Sequence, residues 1–312
     1  MESEFDVVGF GALNLDIIYH VNAIAGVDEE SYIKSRDRIN GGSAANTIIE
    51  LSKLNLKNSY IGKIANDNEG ETLEMNLVKN GVYLNNMIYS DKGNSGKVMG
   101  FVDDNGERAL YVDSGVNDEI DISQINIKEV INSKVIHYSS FVGDSINAQI
   151  GLIDYLPKNI VLSFDPGMIY AKKGYSSIEK ILERTNILLT NEKELKILFK
   201  SLNEKTSSFK DTAKYLCESG IENVIVKRGK NGVYGVSDDC EVEIDGFNVV
   251  ATDTTAAGDS FNAGFLYSYL NGYSLKKSCA IANWIASKTV LKIGTTGFPS
   301  LPEIKEFEKN IP

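Results

Sequence analysis

The feature that most limits the folds open to this chain is a series of short apolar segments, each followed by a longer stretch of helical periodicity. The segments are "FDVVGFG" (5–11), "SYIGKI" (59–64), "KVIHYS" (134–139), "NIVLSFD" (159–165), "NILLT" (186–190) and "NVIVK" (223–227). Between them lie "SAANTIIELSKL" (43–54), "ETLEMNLVKNG" (71–81), "EKELKILFKSL" (192–202) and "SFKDTAKYLCESG" (208–220). A strand covered on one face alternates apolar and polar residues. These are apolar almost throughout, so both faces are expected to be buried. Strands of that kind alternating with helices imply a doubly wound, mostly parallel α/β sheet with helices on both faces and right-handed crossovers.

Two regions break the rhythm. Residues 17–40 and 95–113 read as strands and hairpins, and "DDNG" at 103–106 is a turn signal between β-prone runs. The expected organisation is an α/β catalytic body of residues 1–16, 41–94 and 114–312, with 17–40 and 95–113 forming a small β-sheet lid over a cleft. The alternative is that both segments extend the edge of the main sheet.

Composition narrows the partners. With 43 acidic and 32 basic residues the net charge is −11, which disfavours a nucleic-acid or anionic-membrane binder because either needs a concentrated basic face. A small anion remains possible, since backbone amides bind phosphate without net positive charge. Cys217, Cys240 and Cys279 are odd in number and widely spaced, fitting neither a disulfide framework nor a CxxC zinc site. No basic, apolar leader is visible at the N-terminus, and no uncharged apolar run approaches the ~20 residues of a membrane span. A soluble, cytoplasmic protein is expected.

"DTTAAGDSFNAGF" (253–265) places small side chains between two acidic residues and then starts a helix. Ala256, Ala257 and Gly258 would present unpaired N–H groups at that start, where amides and helix dipole favour an anion. Asp259 lies beside them. A carboxylate next to an anion hole is costly unless it has a task, such as accepting the proton of an attacking hydroxyl. The structural alternative is an Asp that merely stabilises its own helix start.

Four other segments carry weaker signals. "VVGFGALNLD" (7–16) has Asn14 where a dinucleotide fingerprint needs its third glycine, and no helix follows to hold a pyrophosphate. Asn14 and Asp16 still sit at the end of the first strand, where a donor and an acceptor suit paired sugar hydroxyls. "NGGSAANT" sets Gly42 before a helix carrying Asn46, which has poor helix propensity and no structural use there. Asn191 and Glu194 are three apart at a strand-to-helix junction: they form a capping box, or they hold hydrated Mg²⁺ through water. Gly229 and Gly232 in "KRGKNG" suit either a hairpin turn or the close approach of a nucleotide.

Taken together, "DTTAAGDSFNAG" resembles the C-terminal signature of the ribokinase-like (PfkB) carbohydrate kinases, and "GGSAANT" is similar to their N-terminal glycine motif. "NLD", "TNEKE" and "KRGKNG" follow in the family's order, so the resemblance covers roughly residues 5 to 300. It implies ATP-dependent phosphorylation of a hydroxymethyl group, with Asp259 as catalytic base and the amides of Ala256, Ala257 and Gly258 as the anion hole. Asn191 and Glu194 would hold Mg²⁺ and its waters, and Asn14, Asp16, Gly42 and Asn46 would line the sugar site. Lys227, Gly229 and Gly232 would border the nucleotide, with Asn283 near the adenine. Asp253 and the loop at Gly294 would lie where many members bind a monovalent cation, often K⁺. Ala256 stands where most members have glycine, and "SFDPG" (163–167) is closer to archaeal nucleoside kinases than to ribokinases.

The sequence is thus read as an ATP- and Mg²⁺-dependent kinase of a free sugar or a nucleoside, with a homodimer through the lid as a further expectation. Its rivals are a sugar-phosphate kinase, for which Lys34, Arg36 and Arg38 would hold a second phosphate, and a non-catalytic sugar- or nucleotide-binding protein.

Overall fold

The computed structural model describes residues 4–200 and 208–311. All six expected strands form, as β1 (Phe5–Phe10), β4 (Asn58–Ala65), β8 (Ser133–Ser139), β9 (Val161–Asp165), β10 (Ile187–Asn191) and β11 (Asn223–Lys227). They are joined by a short β5 (Met87–Ser90) and by β12 (Val233–Ser237) and β13 (Cys240–Ile244), none of which the apolar pattern disclosed. The nine strands lie in the order β13-β12-β11-β10-β9-β8-β1-β4-β5. Pairing is parallel from β11 to β5, and β12 and β13 add an antiparallel edge.

Burial on both faces follows from the alternation of side chains along each strand. Val8, Ile136, Leu188 and Val224 enter one apolar core, while their neighbours Val7, Val135, Leu189 and Ile225 enter another on the opposite face. Helices cover both. In chain order they are α1 (Ser43–Lys53), α2 (Asn68–Lys79), α3 (Ile127–Val130), α4 (Ile146–Ile153), α5 (Gly167–Lys173), α6 (Tyr175–Arg184), α7 (Glu192–Leu198), α8 (Phe209–Glu218), α9 (Ala257–Leu270), α10 (Leu275–Thr289) and α11 (Leu301–Lys309). The helix expected over 192–202 ends at Leu198, and residues 201 and 202 lie outside the described residues. Among the described residues no helix is long and apolar enough to cross a membrane.

The two inserted regions form a separate sheet rather than an extension of the main one. β2 (Asn14–Val21), β3 (Ile33–Gly41), β6 (Gly96–Val102) and β7 (Arg108–Asp113) pair in the order β3-β2-β6-β7. The β6–β7 turn is the expected "DDNG". Asp103 Oδ1 accepts from Asn105 N and Glu107 N, both at 2.9 Å, and Gly106 takes a φ of 80° that an L side chain rarely adopts. Because β2 follows β1 after only a short connection, Asn14 and Asp16 stand where the second sheet leaves the body.

Candidate active site

β1 is flanked by β4 on one side and β8 on the other, so the chain reverses its direction of travel across the sheet at this point. Open α/β sheets bind ligands in the crevice outside the C-terminal ends of such neighbouring strands. A cleft of about 220 Å³ lies there, lined by Ala12, Asn14, Asp16, Gly42, Ser43, Asn117, Asp118, Ser139 and Ser140, with Val98, Val112, Val142 and Ile169 at its apolar side. Asp16 Oδ1 is buried with no hydrogen-bond partner, and burial pushes the carboxyl up to about 6. An orphaned acceptor facing a cleft is a group waiting for a ligand donor. Asn14 Oδ1 accepts from Asn117 Nδ2 at 2.8 Å, which leaves the Asn14 amide N–H groups for the cleft. Asn117 also brackets Leu13, accepting from its N at 3.0 Å and donating to its carbonyl at 2.8 Å. No local pattern marks Asn117, whose partners lie more than a hundred residues away.

The start of α9 closes the other side. Ala256, its N-cap residue, has φ −95° and ψ 7°, so alanine replaces the family's glycine there without strain. No side chain caps this helix. Ala257 N reaches Thr254 O at 3.3 Å, while the amides of Ala256 and Gly258 have no protein acceptor among the described residues. The Asp259 carboxylate is gripped from α1, with Ser43 Oγ donating to Oδ1 at 2.7 Å and Asn46 Nδ2 to Oδ2 at 2.8 Å. Asn46, expected to line the sugar cleft, is thus a partner of Asp259. Desolvation is the largest influence on Asp259 and, aided by the nearby Asp165 charge, raises its carboxyl to about 7 against those two hydrogen bonds and Lys227.

On the far side of Asp259 a cavity of about 510 Å³ runs along the ends of β9, β10 and β11 towards α10. Its lining includes Asn191, Glu194, Lys227, Gly229, Gly232, Ala257, Gly258, Asp259 and Asn283, with Phe247, Val249, Ala286 and Val290 at the apolar end. Asn283 spends one amide N–H on Asp245 O at 2.9 Å. Ser43 lines both this cavity and the 220 Å³ cleft, so the two meet at Asp259. The "KRGKNG" segment is at once a hairpin between β11 and β12 and a wall of the cavity.

Asn191 and Glu194 form the expected capping box and also line the cavity. Asn191 Oδ1 accepts from Lys193 N at 3.0 Å and Glu194 N at 2.9 Å, and Glu194 Oε2 accepts from Asn191 N at 3.1 Å. That capping box still leaves Glu194 Oε1 and the Asn191 Nδ2 group facing the cavity they line. Burial, with Asp165 nearby, raises the Glu194 carboxyl above its ordinary range against the Lys227 charge. A carboxylate oxygen of Glu194 on the cavity wall is the kind of group that holds a hydrated divalent ion through water.

Lys227, expected to border the nucleotide, is buried and paired. Its ammonium donates to Asp165 Oδ2 at 2.7 Å and to Asn262 Oδ1 at 3.1 Å. Asp165 and Asn262 escaped sequence reading, because their meeting depends on a strand end and a helix start 97 residues apart. Asp253 ties two loops: Oδ1 accepts from Thr255 N at 2.9 Å and from its hydroxyl, and Oδ2 from Gly294 N at 2.8 Å.

Two cavities that meet at Ser43, with the Asp259 carboxylate it holds and open amides on the wall of the larger one, are the layout of an enzyme moving a charged group from one small molecule to another. The chain belongs to the pfkB family of carbohydrate kinases, whose family model matches residues 4–303. It is 38% identical over 248 residues to an uncharacterised sugar kinase of Archaeoglobus fulgidus, covering 78% of this chain and 95% of that one. It is 27% identical to the ATP-dependent ribose-1-phosphate kinase of Halopiger xanaduensis, covering 96% and 97%. Its fold matches the crystal structure of the Methanocaldococcus jannaschii nucleoside kinase, an archaeal member of the ribokinase family, with a TM-score of 0.83 at 24% identity over the full length of both chains.

Proposed function

We propose that this chain transfers the γ-phosphoryl group of ATP to a hydroxymethyl group of a neutral furanose carried by a nucleoside. One observation carries the reading: Asp259 lies where the two cavities meet, beside open amides, with both oxygens aimed by α1. The acceptor hydroxyl gives its proton to Asp259 as its oxygen bonds the γ-phosphorus. The bond from that phosphorus to the β-γ bridging oxygen breaks, and ADP leaves with the electron pair. The amides of Ala256, Ala257 and Gly258 meet the charge of the transferring group, mainly by electrostatic stabilisation already in place before reaction. Glu194 would hold the hydrated Mg²⁺, which supplies charge neutralisation at the phosphates when bound, and Asn191, whose amide oxygen is taken by two backbone N–H groups, would position Glu194. Asp253, held by Thr255 and Gly294, keeps acceptor capacity on Oδ2 for a monovalent cation, and the transfer itself needs no step through K⁺.

The cleft argues against a phosphorylated acceptor. Its lining contains carboxylates at Asp16 and Asp118 and no Lys or Arg. Arg38 and Arg36 pair across from Ile17 and Tyr19, whereas Asp16 pairs with Ile39, so both arginines project from the face away from Asp16. The apolar rim favours a nucleoside over a free pentose, since Val112, Val142 and Ile169 are 49%, 42% and 38% exposed beside a polar cleft. That outward face of the second sheet also carries Tyr19 stacked on Phe101 and the exposed Tyr111, which supports pairing with a second copy there. Initial-rate assays with MgATP and adenosine, inosine, cytidine, ribose, fructose and ribose 1-phosphate test the reading. A nucleoside should give the highest kcat/KM, and a preference for ribose 1-phosphate would overturn it.

A further inference from the structure

Lys227 and Lys230 are the cationic side chains lining the 510 Å³ cavity, and of these Lys230 is exposed on the hairpin while Lys227 is largely buried beside Asp259. The Lys227 ammonium is fixed from two sides, by Asp165 Oδ2 at 2.7 Å and Asn262 Oδ1 at 3.1 Å. Those partners are themselves fixed. Asn262 Nδ2 donates to the same Asp165 oxygen at 2.7 Å, and Gly167 N donates to the other at 3.1 Å. An ammonium has three N–H groups, and the third has no acceptor among the described residues. The nitrogen lies 3.7 Å from where a Cβ on Gly258 would sit, directly against the open amides of α9.

Stability does not call for this arrangement. A buried ion pair returns little more than its desolvation cost, and an apolar pair of similar volume often does as well. The charge balance is also lopsided, because the carboxylates of Asp165, Glu194 and Asp259 all act on one ammonium. A phosphate entering beside them adds further negative charge that the amides' partial charges meet only in part.

We propose that Lys227 is a catalytic residue of the transfer, its third N–H gripping a non-bridging oxygen of the moving phosphoryl group, with Asp165 and Asn262 as the positioning residues that aim it. The inference rests on the kinase reading of the site. A loose transition state spreads charge over those oxygens, and an ammonium already fixed in place meets it without reorganisation. The nucleoside diphosphate product lacks the gripped group, so Lys227 should discriminate triphosphate from diphosphate.

The test compares wild type, Lys227→Met, and the double variant Lys227→Met/Asp165→Asn, which removes the charge of the directly paired carboxylate together with that of the ammonium. Calorimetry measures the affinity for MgADP and for the β,γ-imido analogue of MgATP, and steady-state rates give kcat. Both variants should lose about 10²–10³-fold in kcat, and the analogue's advantage over ADP should vanish while ADP affinity stays within about threefold. A double variant that turns over within about threefold of wild type would make the pair structural only. An equal loss of ADP binding would make Lys227 a nucleotide anchor, and either result overturns the inference. Wild-type protein that binds neither nucleotide removes the kinase reading itself, whatever the variants do.

Discussion

Ser43 Oγ lies 2.7 Å from Asp259 Oδ1, although 216 residues separate them in the chain. Ser43 is the first residue of α1 and lines both the acceptor cleft and the nucleotide-sized cavity. Asn46, one turn further along α1, holds the other carboxylate oxygen at 2.8 Å. The Asp259 carboxylate is therefore placed by α9 and oriented by α1. Because the two helix starts come from opposite ends of the chain, the catalytic geometry exists only when the whole body is folded.

Asp259→Asn keeps the size of the side chain and removes its basicity. We expect kcat to fall by about 10³-fold while MgADP affinity changes less than about threefold, measured by steady-state kinetics and calorimetry. The wild-type carboxyl is raised to about 7, so it takes up a proton as pH falls through that value and the base is lost. The kcat/KM profile should bend near there and drop about tenfold per pH unit below it. Stability runs the opposite way. Between the ordinary value of 3.8 and about 7 the folded state keeps a proton that the unfolded chain has released, so folding stability falls as pH rises through that window. The Asn variant escapes that loss and should melt at or above wild type at pH 8.

The strands and the open start of α9 were legible for the same reason, namely that each depends on a contiguous run. A short, mostly apolar segment such as "NVIVK" points to a strand buried on both faces, and "AAGD" puts its amides and its carboxylate in one turn. What was hidden depends on distant partners. β13 is a largely exposed edge strand whose pattern carries no core signal, and β12 follows directly on a segment read as a turn. Asp165 meets Lys227 across 62 residues, and Asn117 reaches Leu13 across 104. No spacing rule links such pairs. Asn46 stands out in sequence by its poor helix propensity, but the spacing does not disclose its partner, Asp259, which belongs to another element.

Asp16 carries a buried oxygen without a partner, so the unliganded protein bears a cost that a bound hydroxyl removes. Asp16→Asn should lower acceptor affinity by at least about 30-fold, since a lost acceptor in a site built for a hydroxyl is heavily penalised. The unliganded variant should gain up to a few degrees in Tm at pH 8, where the wild-type carboxyl, raised to about 6, is ionised. A variant that loses both acceptor binding and Tm would show that Asp16 is structural.

Glu194 separates capping from metal holding. Glutamine also completes a capping box, so Glu194→Gln should leave Tm within about 2 °C of wild type. Its missing charge should raise the Mg²⁺ concentration for half-maximal activity by about tenfold, with the acceptor KM unchanged. Chelation of divalent ions should abolish turnover in both proteins, and Mg²⁺ should restore it. Equal Mg²⁺ requirements would confine Glu194 to its cap.

Gly42 joins the two sites through the backbone. It takes a φ of 110°, and a Cβ added there would run into the Ala12 carbonyl oxygen and sit 3.3 Å from Leu13 Cα. Backbone atoms cannot swing aside as a side-chain tip can. Gly42→Ala therefore has to displace either the start of α1 or the segment leading from β1 into Asn14. The first movement shifts Ser43 away from Asp259, and the second shifts Asn14 and Asp16. The strain should cost about 2 kcal/mol or more, read as a Tm loss of roughly 3 °C or more. Either movement should also lower kcat and raise the acceptor KM together, while MgADP affinity holds, because the nucleotide cavity is built mainly from β10, β11, α9 and α10. A variant with unchanged Tm and kinetics would show that the Ala12–Gly42 contact yields freely, and that the junction is not set by this glycine.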